Sequence, residues 1–167
     1  LDWIGESFSE ALTADLASPR FLMIDRRERA TAFDKLGMPP SSILSNATVY
    51  KVADVLDADQ VVLGHYEYQD GVFIAQAQVL DIQGPRLSQT FTESGPLASL
   101  LNLQAGLAWQ LQQFLRPGYP LSKEAYLAER KAPRLDAFEN YLRGLLAKDR
   151  AEQIRFFRAA QRLDSAY

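Results

Sequence analysis

The spacing of apolar residues divides the chain into helical, strand-like and turn segments. From Asp2 to Ala17, Ile4, Phe8, Ala11, Leu12 and Leu16 recur at helical spacing, with Glu6, Ser9, Glu10 and Thr13 on the other side. This predicts an amphipathic helix that Asp2 caps and Ser18-Pro19 stops. The run Phe21-Leu22-Met23-Ile24 is apolar at every position, which predicts a short strand buried on both faces of a helix-covered sheet. Arg27 to Leu36 reads as a short helix closed by Gly37 and the Pro39-Pro40-Ser41-Ser42 loop. Val49, Val52, Ala53 and Leu56 mark the next helix, with Asn46 or Thr48 as its cap. Gln60 to Tyr68 and Val72 to Ile82 are strand-like. Asp70-Gly71 between them is a strong hairpin signal, because both residues tolerate positive φ. Leu87 to Thr92 alternates well enough for a third antiparallel strand. Gly95-Pro96 then opens a long helix in which Leu97, Leu100, Leu101, Leu107, Ala108, Leu111, Phe114 and Leu115 form one wide stripe.

Arg116-Pro117-Gly118-Tyr119-Pro120 ends that helix and marks a boundary. Beyond it the pattern is helical throughout. Ser122 to Lys131 forms one helix. Asp136 and Glu139 supply a capping-box pair for the next, with Phe138, Tyr141, Leu142 and Leu145 inward. The last helix, Ala151 to about Ala166, places Ile154, Phe157, Ala160 and Leu163 on one face. Phe156 falls off that face, so a contact with another helix, a neighbouring chain or a partner is expected for it. The element order predicts an α/β domain over 1–116, a linker over 117–121 and an all-α tail over 122–167. The domain is expected to hold a mixed α+β sheet covered by helices, layered as in anticodon-binding domains.

Two segments resemble known families. Ile154-x-x-Phe157-x-x-Ala160-x-x-Leu163-Asp164-Ser165 is similar to the second helix of a tetratricopeptide repeat, with Ser165 where that repeat has proline. Tyr141-Leu142-Arg143-Gly144 resembles its first helix, whose glycine permits close helix packing, although Gly144 to Ile154 is about three residues short of the repeat spacing. The resemblance implies further repeats after Tyr167, since one repeat cannot bury its own apolar face. The first ~115 residues resemble the α/β domain of the TolB amino-terminal and FlgO-type envelope proteins. The residues that carry this are Leu1-Asp2-Trp3-Ile4-Gly5-Glu6-x-Phe8-x-Glu10-Ala11-Leu12, Val52-Ala53-x-x-Leu56-x-Ala58-Asp59-x-Val61-Val62-x-Gly64 and Val79-Leu80-Asp81. In that family a strand precedes the first helix. The resemblance thus implies a sheet open to completion by another segment or to self-association. It also favours a periplasmic or envelope location while leaving a cytoplasmic one open.

Composition narrows the chemistry. With 167 residues, 47% hydrophobic and 23% charged, the chain is expected to form a packed core. No stretch approaches the ~20 apolar residues of a membrane-spanning helix. There is no cysteine and one histidine, His65, which removes disulfides and thiolate chemistry and leaves zinc sites and His-based catalysis without their usual ligands. Net charge changes sign along the chain. Residues 1–115 hold 7 Lys+Arg against 14 Asp+Glu, a balance of −7, and residues 116–167 hold 11 against 7, a balance of +4. Neither value suits a nucleic-acid-binding surface.

No catalytic residue, metal site or cofactor is expected. His65 and Glu67 read as a surface pair on one strand face. Asp54, Asp57 and Asp59 lack the ligand order of a calcium loop. Arg26-Arg27-Glu28-Arg29 reads as an exposed mixed-charge turn, and the sequon Asn46-Ala47-Thr48 as a helix start. Arg143, Lys148, Arg155, Arg158 and Arg162, with Phe156, are the residues expected to meet a protein partner, since a basic helical groove suits acidic segments. The expected function is a non-enzymatic scaffold for protein–protein interaction, with a small-ligand sensor in the α/β part as the alternative.

Overall fold

The sheet grows from the Asp70-Gly71 turn. In the computed structural model, which describes residues 2–39, 44–84, 86–130, 133–165 and 167, both turn residues have positive φ, 53° and 82°. They join β1 (Gln60–Gln69) to β2 (Val72–Asp81) in unbroken antiparallel register, from Gln69↔Val72 to Gln60↔Asp81. The other edge of β2 is shared end to end by β3 (Arg86–Leu87) and β4 (Phe91–Pro96). The expected third strand is therefore two pieces. Ser88 bridges them: its amide donates to the Val79 carbonyl at 2.8 Å, and its Oγ accepts from the Val79 amide at 2.9 Å. Every strand pairing among the described residues is antiparallel, which corrects the expected mixed sheet.

Alternation along β2 fixes which face is inside. Phe73, Ala75, Ala77 and Val79 are buried, while the residues between them turn to the other face. Two helices cover this face, α1 (Asp2–Leu16) and α4 (Leu100–Leu115), the latter preceded by a 3₁₀ turn at Leu97–Ser99, and the small alanines let α4 approach closely. α4 packs on β2, β4 and α1. Its sixteen residues include no charge, and Leu100, Leu107 and Leu111 are fully buried, each contributing about 2 kcal/mol of apolar burial.

Two shorter helices follow α1. α2 (Arg26–Lys35) starts at a capping box in which the Glu28 amide donates to Asp25 Oδ1 and the Asp25 amide to Glu28 Oε2, both at 2.8 Å. α3 (Asn46–Val55) is capped by Ser45, whose Oγ accepts from the Thr48 amide at 3.3 Å. The expected caps Asn46 and Thr48 are thus inside the helix. Of the expected loop after α2, residues 40–43 lie outside the described residues. Phe21 to Ile24 is not a strand. Its sheet-like contact is one bridge, Ser18↔Phe21, and Leu22 is 98% exposed. An apolar run signals a buried strand only where neighbouring strands exist, and no described strand lies alongside this one.

The tail is built into the same core. α5 (Lys123–Glu129) packs on α4, and α6 (Leu135–Leu146) on α1. Tyr126, Phe138 and Leu142 belong to the buried cluster that holds Ile4, Phe73 and Leu107. The 117–121 stretch is fastened to α4: Trp109 Nε1 donates to the Leu121 carbonyl at 2.9 Å and Gln113 Nε2 to the Tyr119 carbonyl at 3.2 Å. Asp136 and Glu139 do not form the expected capping box. Asp136 pairs with Arg134 at 2.7 Å and Glu139 with Arg143 at 2.7 Å, because α6 starts two residues earlier than that box requires, at Leu135 after the cap Arg134.

α7 (Arg150–Leu163) is capped by Asp149 and packs on α6. Gly144 makes that packing close. A Cβ there would lie 2.5 Å from Phe157 Cε1, well inside van der Waals contact. Gly144→Ala should destabilise the chain by about 1–3 kcal/mol, measured as a fall in the urea midpoint. The double variant with Phe157→Leu should recover most of the loss; no loss in the single variant would contradict this packing.

Candidate functional site

α1 and α7 both lie against α6, and α7 has no comparable packing on α1 or α4. The space between them is a cleft of about 780 Å³. One wall is α1 and α4 (Glu10, Ala11, Ala14, Asp15, Leu101, Gln104) and the other is α7 (Ile154, Phe157, Arg158, Gln161). Phe138 and Tyr141 of α6 lie between the two walls, and Arg130, Pro133 and Tyr167 complete the lining. The aromatic rings touch: Tyr141 is 5.2 Å from Tyr167 and 5.8 Å from Phe157, centroid to centroid. Ile154 remains 41% exposed. A helix packed along one side leaves its apolar stripe open on the other.

Three polar groups of the α1–α4 wall are pulled out of water. Gln104 is 1% exposed; its Nε2 donates to Ser7 Oγ at 2.6 Å, and Ser7 Oγ donates to the Ile4 carbonyl at 2.6 Å. Gln104 Oε1 has no hydrogen-bond partner among the described residues. Asp15 forms an ion pair with Arg130. Arg130 also donates to Tyr126 Oη at 3.3 Å and lies over that ring. Burial pushes the Asp15 carboxyl above the usual aspartate range, against the lowering effect of Arg130 and the Tyr126 hydroxyl. Burial, then the neighbouring Glu6 carboxylate, raises Glu10 as well. The Tyr167 phenol is pushed up to about 12 by burial, with Asp164 and Tyr141 adding to it.

The basic residues singled out in the sequence lie at the outer side of this cleft. Arg158 lines it, and Arg155, Arg158 and Arg162 share a shallow depression with Ile154 on the outside of α7. Arg155 is 3.6 Å from Glu152 and stacks over Phe156 with its guanidinium carbon 5.0 Å from the ring centre. Phe156 is half-buried there. Arg162 Nε donates to the Arg158 carbonyl at 3.3 Å, and Arg158 has no ion pair among the described residues. Arg143, on α6, is held by Glu139, and Lys148 is exposed between α6 and α7. The structure therefore brings Arg155, Arg158 and Arg162 together and leaves Arg143 and Lys148 apart from them.

Sequence reasoning missed Glu10, Asp15, Gln104, Arg130 and Tyr167. Glu10 sits on what reads as the solvent side of α1, and the Asp15–Arg130 pair spans two segments that no local pattern connects. The other candidates fall elsewhere. His65 Nε2 and Glu67 Oε1 are 3.1 Å apart on the exposed sheet face. Arg26 and Arg29 are bound by Glu6 of α1, at 3.3 and 3.1 Å, so the segment is not the free turn expected. Asp59 accepts from Gln83 Nε2 at 2.8 Å. No group of three or more His, Asp or Glu residues among those described could hold a metal, and no described helix is long and apolar enough to cross a membrane. The outer edge of β1 carries no strand among the described residues.

No family model matches the chain, and no curated protein matches it. Among solved structures, the C-terminal domain of LpoB from Salmonella enterica, in selenomethionine form, overlaps 46% of this chain with a TM-score of 0.41 and 14% identity. The overlap spans 57% of that domain's length. It is a likeness of partial backbone arrangement.

The raised carboxyls set a pH dependence with a definite sign. Between the unfolded and the higher folded value the native state binds more protons, so stability falls as pH rises through that window. For Asp15 and Glu10 the windows open near 3.8 and 4.5. Urea titrations from pH 3.5 to 6.5 should show this component, and Glu10→Gln should flatten it. An unchanged slope in that variant would contradict the assignment.

Proposed function

We propose that the chain is a non-enzymatic docking module that receives a segment of another protein in the cleft between α7 and the α1–α4 wall. The observation that carries this reading is the open apolar side of α7: Ile154 is 41% exposed and Phe157 only half-buried, beside a cleft of about 780 Å³. Isolated apolar residues on a surface are ordinary, but an aromatic-lined cleft continuous with them is a recognition surface. Arg155, Arg158 and Arg162 at its outer side suit a segment with acidic side chains flanking its apolar ones. The helical hairpin with Gly144 at its closest approach supports reading α6–α7 as a tetratricopeptide-like unit, the kind of element that docks proteins in arrays. The TolB- and FlgO-like sequence features support a bacterial envelope location.

Site-specific photo-crosslinking tests the reading in the protein's native setting. A p-benzoylphenylalanine at Ile154 should give a discrete protein adduct, and the same probe at Leu22, which is exposed and does not line the cleft, should not. Adding Arg155→Glu and Arg158→Glu should reduce the Ile154 adduct at least fivefold. Equal labelling from both probe positions, or no adduct from Ile154, would overturn the docking assignment.

A further inference from the structure

The walls of the cleft restrict the backbone of whatever fills it. Both long walls are the sides of helices, with Ala11 and Ala14 of α1 on one and Ile154, Phe157 and Gln161 of α7 on the other. A helix bonds its amides and carbonyls along its own axis, so neither wall offers a row of backbone partners. An extended segment laid here would bury unpaired amides and carbonyls, and scattered polar side chains such as Gln161 cannot serve them all. A helix brings its own pairing. Its size also fits: at 1.5 Å per residue, Ile154 to Gln161 runs about 10 Å, or roughly two helical turns. On α1 the lining includes two alanines, and short side chains let a neighbouring helix axis come close.

Charge distinguishes the two walls. The α1 wall presents Glu10, one helical turn from Glu6, whose like charge adds to burial in raising the Glu10 carboxyl. Arg29 is 4.0 Å from Glu10 and is held closer, at 3.1 Å, by Glu6. The other carboxyl of that wall, Asp15, is committed to Arg130. The α7 wall presents Arg158, which is exposed and has no ion pair among the described residues. Each wall therefore keeps one charge with capacity for a partner, and the two are of opposite sign.

Resting on the docking reading of the same cleft, we infer that the segment it receives is an amphipathic α-helix. Its apolar stripe lies on Tyr141, Ile154 and Phe157. One border of that stripe carries a cationic side chain that meets Glu10, and the other a carboxylate that meets Arg158. A helix charged alike on both borders would satisfy one wall and repel the other.

Fluorescence anisotropy of the full chain with labelled model peptides of about 15 residues, long enough to form a helix, tests it. Three share one leucine stripe at helical spacing and differ in its borders: Lys on one and Glu on the other, Lys on both, or Glu on both. A fourth has the Lys/Glu composition in strand-period order. The Lys/Glu helix should bind saturably, at least fivefold tighter than either single-sign helix and at least tenfold tighter than the strand-period peptide. Glu10→Lys should shift the preference to the Glu/Glu helix, and Arg158→Glu to the Lys/Lys helix. Tight binding of the matched peptide also shows that each variant is folded. Equal binding of the three helices, preference for the strand-period peptide, no saturable binding of the Lys/Glu helix, or an unchanged preference in either variant would overturn the inference. A discrete Ile154 crosslink found alongside any of those results leaves the docking module standing and removes only the helical occupant. Loss of the crosslink as well removes both.

Discussion

A sixteen-residue helix without a single charge must be covered on nearly every side, and the placement of α4 governs the rest of the molecule. The sheet covers one side of it, α1 a second, and α5 with the 117–121 stretch a third. A sheet with helices on one face only cannot bury such a helix alone. The tail helices are for this reason part of the core, and Phe138 and Leu142 share a cluster with Phe73. Had α4 carried charges on its outer face, α5 would have had nothing apolar to pack against.

The same constraint explains why α7 is different. α6 covers the α1 side, and α7 packs on α6 through the close contact at Gly144. Its remaining apolar stripe, from Ile154 to Phe157, faces the cleft. The apolar excess of the tail is therefore half resolved inside the chain: the α6 share is buried, and the α7 share is the open wall. Arginines on α7 keep that wall soluble, since their long stems lie along apolar surface while the charged ends stay in water.

Much of the fold was legible in the sequence because its signals are local. Asp70-Gly71 specified a turn with two positive φ values, and the alternation after it specified which face of β2 is inside. The helices fell close to the positions their periodicity indicated. What failed had a shared cause: patterns that gain their meaning from a distant neighbour. Phe21 to Ile24 has the composition of a buried strand, yet no described strand flanks it. Asp136 and Glu139 have the spacing of a capping box, yet each finds a nearby arginine and the helix begins two residues earlier. The charged stripe of α7 was readable from one helix alone. The inner wall of the cleft was not, because Ser7 and Gln104 meet across 97 positions and Asp15 and Arg130 across more than a hundred. The one local hint was the run of glutamines in α4. An amide in an otherwise uncharged helix has to be buried with a partner, and Gln104, Gln112 and Gln113 each have one on another segment.

Those amides bear on recognition as well as on packing. Gln112 Nε2 gives its proton to the Asp15 carbonyl at 2.7 Å, which ties α4 to the last turn of α1. Gln104 gives its own to Ser7, which ties it to the first turns. Two amides spending their donors on α1 hold its register and necessarily turn their carbonyl oxygens elsewhere. The Gln112 oxygen accepts from Arg116 at 3.4 Å, whereas that of Gln104 stays buried without a hydrogen-bond partner among the described residues. The α1–α4 side of the cleft carries the carboxyls of Glu10 and Asp15, while the α7 side carries the guanidinium groups of Arg155, Arg158 and Arg162. A ligand spanning the cleft would meet opposite demands at its two walls, and that polarity would orient it, which an apolar cleft of the same volume could not do.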